Sequence, residues 1–282
     1  MVTTAIMKGV IIMAIRTTNR PTPNSIQNGK TAPKNRFKSK KEKLLNLENP
    51  NAVPFTVVEA YKNIRVQLIA MLEKTGSKTI AITSANASEG KSTTSLNIAI
   101  TFSQLSKKVI IVDADMRRGT IHKKTKLIND VGCLDVLSGK VSFEEAVKSY
   151  NANLDVLTCG VHSNNSCELF DSTAFDKLLK LLEEKYDYII FDTPPVNLVS
   201  DTLVISKKCD GLIFVVRSEV TTYEAFKRAK SSTEKLGANT LGVILNAVDL
   251  NSNKNYKYRN SKYGRYNKYG YGYYGYYGRR GR

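Results

Sequence analysis

The chain has 282 residues, 41 % of them apolar, which is enough for a sizeable core in one large domain or two small ones. Its formal net charge of +18 comes from the two ends, because residues 1–43 and 254–282 each carry +9 and the stretch between them is neutral. This distribution argues against a domain-wide nucleic-acid surface, whereas basic ends can contact anionic lipid, nucleic acid or an acidic partner.

Cysteine and histidine are sparse. The four cysteines form no CxxC pair, and their spacings fit no zinc or disulfide framework, so we interpret them as reduced cytosolic thiols. The two histidines are too few to indicate a metal site, and we expect both to be structural or solvated. These residues are Cys133, Cys159, Cys167, Cys209, His122 and His162.

The hydrophobic pattern predicts a mobile, disordered basic arm at 1–45, one domain at 46–250 and a disordered tail at 251–282. The arm contains a short apolar run from Val10 to Ile15, far below the about 20 residues that a membrane span requires. The sequence that follows this run is polar, basic and interrupted by prolines, with no periodic apolar pattern.

Within the domain, apolar residues at steps of three and four predict helices, and short apolar runs predict strands. The runs are continuous instead of alternating, which is typical of strands buried on both faces of a parallel sheet. The alternation of strands and helices therefore predicts an α/β domain with a mainly parallel sheet flanked by helices. The predicted helices are 55–72, 92–105, 175–184 and 223–236, and the predicted strands are 79–83, 109–112, 154–157, 188–191, 212–216 and 241–245.

The segment Ala85-Asn86-Ala87-Ser88-Glu89-Gly90-Lys91-Ser92 lies between a predicted strand and a predicted helix, and it matches the Walker A pattern with alanine for the first glycine. In such a loop, backbone N–H groups wrap the phosphates of a nucleotide. Gly90 permits close approach of the backbone, Lys91 reaches the β and γ oxygens, and Ser92 can ligate Mg²⁺. A chance lysine in a Ser/Gly-rich turn is the alternative, but the strand–loop–helix context favours an ATP site and a P-loop NTPase fold. The nucleotide-binding residues predicted here are Ala87, Ser88, Glu89, Gly90, Lys91, Ser92 and Thr93.

Carboxylates follow two further predicted strands. Asp113 and Asp115 end one buried strand, and Asp192 ends another. Because ligands bind beyond the carboxyl ends of strands in open α/β sheets, we expect these acids to meet the Walker A loop. Mg²⁺ prefers oxygen ligands, so Ser92, Asp113 and Asp192 are predicted to hold it. Asp113 or Asp115 can accept a proton from an attacking hydroxyl, and together with Lys91 the three acids are the predicted catalytic residues.

Ten tyrosines crowd residues 256–277, separated by Gly, Asn, Ser, Lys and Arg without any aliphatic residue, so this segment cannot build a packed core. One interpretation is an aromatic tail that binds nucleic acid by stacking. With an ATP site in the same chain, we favour phosphate acceptors, each adding about −1.5 to −2 charges. The predicted acceptors are Tyr256, Tyr258, Tyr263, Tyr266, Tyr269, Tyr271, Tyr273, Tyr274, Tyr276 and Tyr277.

Three segments, SEGKSTTS (88–95), VIIVDADMRR (109–118) and YIIFDTPPVNLVSD (188–201), together with the tyrosine cluster, give the chain a recognisable pattern. Over about 55–277 it resembles the bacterial tyrosine kinases of capsular and exopolysaccharide synthesis, the CpsD/CapB type. The resemblance implies an ATP- and Mg²⁺-dependent protein-tyrosine kinase that autophosphorylates its tyrosine cluster between subunits, often in a ring. It also implies that the acids at 113 and 115 form the second Walker motif, and that Asp192 belongs to Walker B.

The resemblance further implies partners and a location. A separate transmembrane activator of the polysaccharide co-polymerase type would dock on the kinase and complete its ATP site. A cognate tyrosine phosphatase would reverse the modification, and its cycling would tune polysaccharide chain length and export. The kinase would then be cytoplasmic and recruited to the inner face of the membrane, with no specific nucleic-acid partner.

The chain departs from the family pattern at three places. The family's oligomer-forming helix carries Glu-x-x-Arg-x-x-Arg, where this chain has Glu59, Lys62 and Arg65, the predicted oligomer interface. Lysine at the middle position keeps the charge and loses the bidentate geometry. The family has a proline after the second Walker motif, where this chain has Gly119. The family also has a proline-rich turn at the position of residues 163–167, which contain no proline in this chain.

Two residues and two functions stay open. Arg117 can stabilise phosphate charge or simply be solvated. The resemblance implies that Asn246 contacts the adenine base, while a turn-forming asparagine fits as well. The alternative function is a MinD/ParA-type ATPase that controls surface or partner binding, although residues 84–88 lack the extra lysine of that class. A non-catalytic adaptor with basic tails is a third reading, which the intact Walker residues disfavour.

Overall fold

The structure, a computed structural model, describes residues 11–14, 47–48, 53–160 and 166–248. This part of the chain forms an eight-stranded sheet in the order β1-β8-β7-β2-β6-β3-β5-β4. The strands are β1 (Ile11–Ala14), β2 (Thr79–Ser84), β3 (Val109–Asp113), β4 (Val147–Asn151), β5 (Leu154–Leu157), β6 (Tyr188–Asp192), β7 (Gly211–Arg217) and β8 (Thr240–Asn246). The helices are α1 (Phe55–Thr75), α2 (Lys91–Ser103), α3 (Ile121–Thr125), α4 (Cys133–Leu137), α5 (Phe143–Ala146), α6 (Ser166–Asp171), α7 (Thr173–Lys185), α8 (Asp201–Lys208) and α9 (Tyr223–Glu234).

The sheet is parallel except at one edge, where β4 pairs antiparallel with β5. Successive residues of β3 alternate between two hydrophobic cores: Val109 and Ile111 face the core with α1 and α2, and Ile110 and Val112 face the opposite core. Both faces of the central strands are thus covered, which is why their sequences are continuous apolar runs. The predicted α/β class and the ten predicted helices and strands are confirmed, with ends shifted by a few residues.

Several elements have no strong sequence signal. The edge strand β4 is polar and partly exposed, so it lacks a continuous apolar run. The short helices α3 to α6 span six residues or fewer, too few for a helical period to show. Strand β1 falls inside the predicted arm at 1–45 and pairs in parallel with β8, so this apolar stretch of the arm is part of the sheet. The predicted tail at 251–282 and the turn at 163–165 lie outside the described residues.

None of the helices in the described ranges combines the length and the apolar character of a membrane span. The longest one, α1, has 21 residues and buries a single stripe at Val57, Tyr61, Ile64, Leu68 and Leu72. These steps of three and four residues place one face of α1 against the core that it shares with α2.

Asp210 anchors the start of β2, the strand that leads into the Walker A loop. Its Oδ2 accepts hydrogen bonds from the N–H of Lys78 at 2.8 Å, and from the N–H and Oγ1 of Thr79 at 2.9 and 2.7 Å. Replacing Asp210 with alanine removes the acceptor for all three donors. We expect Asp210→Ala to lower the free energy of unfolding by about 2–3 kcal/mol, measured by urea denaturation.

Asp171→Ala, at the exposed end of α6, is the matched control and should change stability by less than about 0.5 kcal/mol. Equal effects of the two substitutions would contradict the anchoring role of Asp210.

Candidate active site

The Walker A loop connects β2 to α2 and is closed by a buried carboxylate. Glu89 is 1 % exposed, and its Oε2 accepts from the N–H of Ala85 at 3.0 Å. Its Oε1 accepts from Thr221 Oγ1 at 2.7 Å and from Asn86 Nδ2 at 3.3 Å. The Glu89 side chain therefore holds the two ends of the loop together and points into the protein, so this residue can meet phosphate through its backbone alone.

Gly90 is required where the loop enters α2. Its φ of 95° lies in the left-handed region, which disfavours side chains with a Cβ. A Cβ built here would also lie 1.9 Å from Asn246 Nδ2, which donates to the Glu89 carbonyl at 3.0 Å. Asn246 is nearly buried at the end of β8 and thus packs directly on the loop. Ala85, at the first glycine position of the Walker A pattern, needs no positive φ, so its Cβ is accommodated.

Lys91 stands between carboxylates. Its Nζ lies 3.2 Å from Asp192 Oδ1, 3.6 Å from Asp115 Oδ2 and 3.3 Å from Ser92 Oγ, and the residue is 7 % exposed. Burial disfavours the ammonium, but the charges of Asp192, Asp115 and Asp113 outweigh it and hold the pKa of Lys91 above its ordinary value. Lys91 is therefore a fixed positive charge at the helix N-terminus, where phosphate binds most favourably.

Asp113 is completely buried beside this group. Its Oδ2 accepts from the N–H of Ile121 at 3.0 Å, and its Oδ1 accepts from the N–H of Asp115 at 3.3 Å. Burial and the neighbouring charge of Asp192 raise the pKa of Asp113 to about 8, against the opposing effect of Lys91. This environment favours a proton on Asp113, and another positive charge that enters the cluster would favour the ionised carboxylate instead.

A cavity of about 640 Å³ opens above the loop, large enough for a nucleotide. Asp115 lines it, whereas Asp113 and Asp192 lie behind its wall. Of the two predicted proton acceptors, Asp115 is thus the one that an entering hydroxyl can meet. The lining residues are Ser84, Ala87, Ser88, Glu89, Gly90, Lys91, Ser92, Thr93, Asp115, Arg117, Arg118, Thr120, Lys124, Pro194, Pro195, Leu198, Val199 and Arg217.

The donor set fits Mg²⁺. Asp192 Oδ1 accepts from Lys91 and, at 2.9 Å, from Ser95 Oγ, while Asp192 Oδ2 is buried and has no hydrogen-bond partner among the described residues. A buried carboxylate oxygen left without a donor is costly unless a cation or water meets it. Ser92 lines the cavity and Asp113 pairs with Asp192 across β3 and β6, so residues with the oxygen ligands that Mg²⁺ prefers lie at the same edge of the sheet.

Basic residues on the cavity wall were only partly predicted. Arg117 lines the cavity and lies 3.9 Å from Asp201, which is fully buried and accepts a short hydrogen bond from Ser166 Oγ. Arg217 also lines it and donates to the Ser88 carbonyl at 3.0 Å. Neither Asp201, the last residue of the segment YIIFDTPPVNLVSD, nor Arg217 was predicted as a site residue, because their contacts join residues far apart in the chain.

The remaining predicted residues lie elsewhere. Thr93 is on the cavity wall, where Lys124 Nζ donates to its Oγ1 at 2.9 Å. On α1, Lys62 pairs with Glu59 at 2.8 Å on the exposed surface, and Arg65 donates to the Thr101 carbonyl of α2 at 2.7 Å. The ten tail tyrosines lie outside the described residues.

The loop between β2 and α2, with acids at the ends of β3 and β6, defines the class of the protein as a P-loop nucleoside triphosphatase fold. A family model described as an AAA domain matches residues 77–236. Tyrosine-protein kinase YwqD of Bacillus subtilis (strain 168) is 38 % identical to this chain over 205 residues, which are 72 % of this chain and 86 % of that protein. The chain belongs to the family of bacterial tyrosine-protein kinases, and the predicted enzyme class, a protein-tyrosine kinase, is confirmed.

Comparison with solved structures supports the same family assignment. The kinase domain of the Escherichia coli tyrosine kinase ETK matches with a TM-score of 0.74 and 26 % identity, over 86 % of this chain and 92 % of that one. The chimerical protein CapA2B2 matches with a TM-score of 0.70 and 31 % identity, over 85 % and 95 %. The septum site-determining protein MinD of Pyrococcus horikoshii matches with a TM-score of only 0.52 at 24 % identity, over 60 % and 69 %, and shares the fold. The comparisons thus favour the kinase over the MinD/ParA alternative.

The contact between Gly90 and Asn246 predicts a measurable coupling. Gly90→Ala should destabilise the protein through left-handed strain of about 1–2 kcal/mol and through the clash with Asn246. In an Asn246→Ala background the clash is gone and only the strain remains. A double-mutant cycle of unfolding free energies should therefore show a coupling of about 1 kcal/mol or more between these sites, and additive effects would contradict the contact.

Proposed function

We propose that this kinase transfers the γ-phosphoryl group of ATP to the tyrosines of its own tail, between neighbouring subunits. The observation that carries the proposal is the position of Asp115, which lines the cavity 3.6 Å from Lys91 while the other two acids lie behind the wall. A carboxylate beside a phosphate-binding lysine is placed to receive the proton of an incoming phenol. The tail that follows β8 supplies ten phenols in one short segment.

In the proposed mechanism, the loop N–H groups and Lys91 hold the β and γ phosphates at the N-terminus of α2. A tail phenol oxygen attacks the γ phosphorus in line, the bond to the ADP oxygen breaks, and the phenol proton passes to Asp115. Arg117, on the same wall, stabilises the charge on the transferring group. Mg²⁺, held by Ser92, Asp192 and Asp113, would neutralise phosphate charge when bound.

Phosphorylation of the tail would change its net charge. Residues 254–282 carry +9, and five or more phosphoryl groups of about −1.5 to −2 each would reverse that sign. Phosphorylation would thus change the tail from a segment attracted to anionic surfaces into one repelled by them.

Family membership supports the wider context of the proposal. The relatives are kinases associated with capsule and exopolysaccharide synthesis, so we place this chain in the control of such a pathway, with its phosphorylation reversed by a tyrosine phosphatase. A separate transmembrane activator would recruit it from the cytoplasm to the inner face of the membrane. Subunit contacts through α1 would involve Glu59 and Lys62, which are exposed there. Arg65 donates a hydrogen bond to α2 of its own chain, so this hydrogen bond would have to break before Arg65 could contact a neighbouring subunit in a ring.

The test is incubation of the full chain with ATP and Mg²⁺, with and without a cytoplasmic fragment of the candidate activator, followed by intact mass and phosphotyrosine detection. We expect successive mass gains of one phosphoryl group each. Lys91→Met and a chain ending after Asn253 should show none. Asp115→Asn should slow the transfer by about 10²–10⁴-fold while it still binds nucleotide, because it removes the proton acceptor and leaves the Walker A loop and Lys91 in place.

Asp130→Asn, an exposed acid away from the cavity, is the matched control and should retain full activity. ATP hydrolysis without mass gain, even with the activator, would contradict the kinase mechanism and support a partitioning-type ATPase.

A further inference from the structure

Behind the cavity wall, three side chains of different chemistry come together. The ligand atoms of Asp113, His122 and Cys159 all lie within 4.8 Å of one another. They come from the end of β3, from α3 and from the residues after β5, a neighbour of β3 in the sheet. Asp113 and Cys159 are fully buried, and His122 is half-buried, so His122 is the member of the cluster that is partly accessible to solvent.

The three ligand atoms are slightly farther apart than those of a site for a thiophilic divalent metal. Zn²⁺ binds Cys sulfur at about 2.3 Å and His nitrogen or Asp oxygen at about 2.0–2.2 Å, which puts tetrahedral ligand atoms roughly 3.3–3.8 Å apart. A contraction of about 1 Å, within the reach of side-chain rotation, would bring the three atoms to those separations. A water molecule would complete four-coordination.

The absence of a side chain at Gly119 leaves space for this cluster. A Cβ at position 119 would lie 2.4 Å from Cys159 Sγ and 2.8 Å from Asp113 Oδ2, so any side chain there would intrude between two of the three ligands. The Cys159 thiol is held by weak contacts alone, to Asn129 Oδ1 at 3.6 Å and to the Gly160 carbonyl at 3.4 Å. Exchange of these contacts for a metal–sulfur bond would therefore disturb little of the structure.

We propose that Asp113, His122 and Cys159 form a binding site for Zn²⁺ or a similar thiophilic metal, and that the bound metal inhibits the kinase. The metal bonds to sulfur as the thiol proton leaves to solvent, with no change in oxidation state. Occupancy draws Asp113 away from Ser92 and Asp192 and so breaks up the oxygen ligands of the nucleotide-bound Mg²⁺. The inhibition rests on the proposed function, whereas the binding does not.

The binding test uses untagged full-length protein without nucleotide, titrated with Co²⁺ as a spectroscopic substitute for Zn²⁺. We expect one equivalent to bind with a thiolate-to-cobalt charge-transfer band and the visible bands of a tetrahedral ion, both abolished by added Zn²⁺. Cys159→Ala should lose the charge-transfer band. His122→Gln should weaken Co²⁺ binding by more than about 10–100-fold, which is the loss caused by mutation of an outer-shell partner, because it removes a direct ligand.

Cys209→Ala is the matched control, since it removes a buried thiol elsewhere in the core and should leave the spectrum unchanged. Melting temperatures without metal confirm that each variant is folded, and if Cys159→Ala is unfolded, the His122→Gln titration decides the matter alone. No charge-transfer band in the parent protein, or unchanged Co²⁺ affinity in folded His122→Gln, would overturn the site.

The activity test measures phosphotyrosine formation in excess Mg²⁺ with increasing Zn²⁺. The Zn²⁺ concentration for half inhibition should rise at least about tenfold in Cys159→Ala and His122→Gln and stay constant in Cys209→Ala. Cobalt binding without this shift would overturn the inhibitory role and retain the site. Absence of phosphotyrosine in every variant before Zn²⁺ is added would instead contradict the proposed function.

Discussion

One buried ammonium group among three carboxylates organises this protein. Lys91 lies within 3.6 Å of Asp192 and Asp115, and Asp113 is fully buried in the same cluster. One positive charge cannot balance three negative ones in a site with so little solvent, so the cluster either keeps a proton or takes up a cation. This imbalance makes the site receptive to a nucleotide that arrives with a divalent metal, and it explains why the lysine stays charged although it is buried.

The parallel sheet creates this cluster. Strands β2, β6 and β3 are neighbours, and their carboxyl ends deliver the Walker A loop, Asp192 and Asp113 to one edge. The loop is then fixed from the other side of β2, where β7 and β8 bring Thr221 and Asn246 onto Glu89. The phosphate site is therefore held by the sheet from both directions and needs little rearrangement to accept a ligand.

The sequence predicted what local patterns encode. Continuous apolar runs located the central strands, the Walker A pattern located Lys91, and acids after strands located Asp113 and Asp192. Local patterns do not encode contacts that depend on tertiary packing. Three examples are the closure of the Walker A loop by Glu89, the packing of Asn246 on Gly90, and the position of Asp115, but not Asp113, on the cavity wall. The approach of His122 to Cys159 is likewise a tertiary contact, since it depends on β3 and β5 being neighbours.

The charge imbalance at Lys91 is tested most directly by counting protons. Complete burial and Asp192 raise the pKa of Asp113. We therefore expect Asp113 to hold a proton at pH 7, and an entering cation should lower that pKa and release the proton. Calorimetric titration of Mg²⁺ into the ADP-saturated protein, in buffers of different ionisation enthalpy, should show up to about one proton released per site beyond the amount seen with Asp113→Asn, which reports the protons from the nucleotide itself. Equal proton release by both proteins would contradict the account.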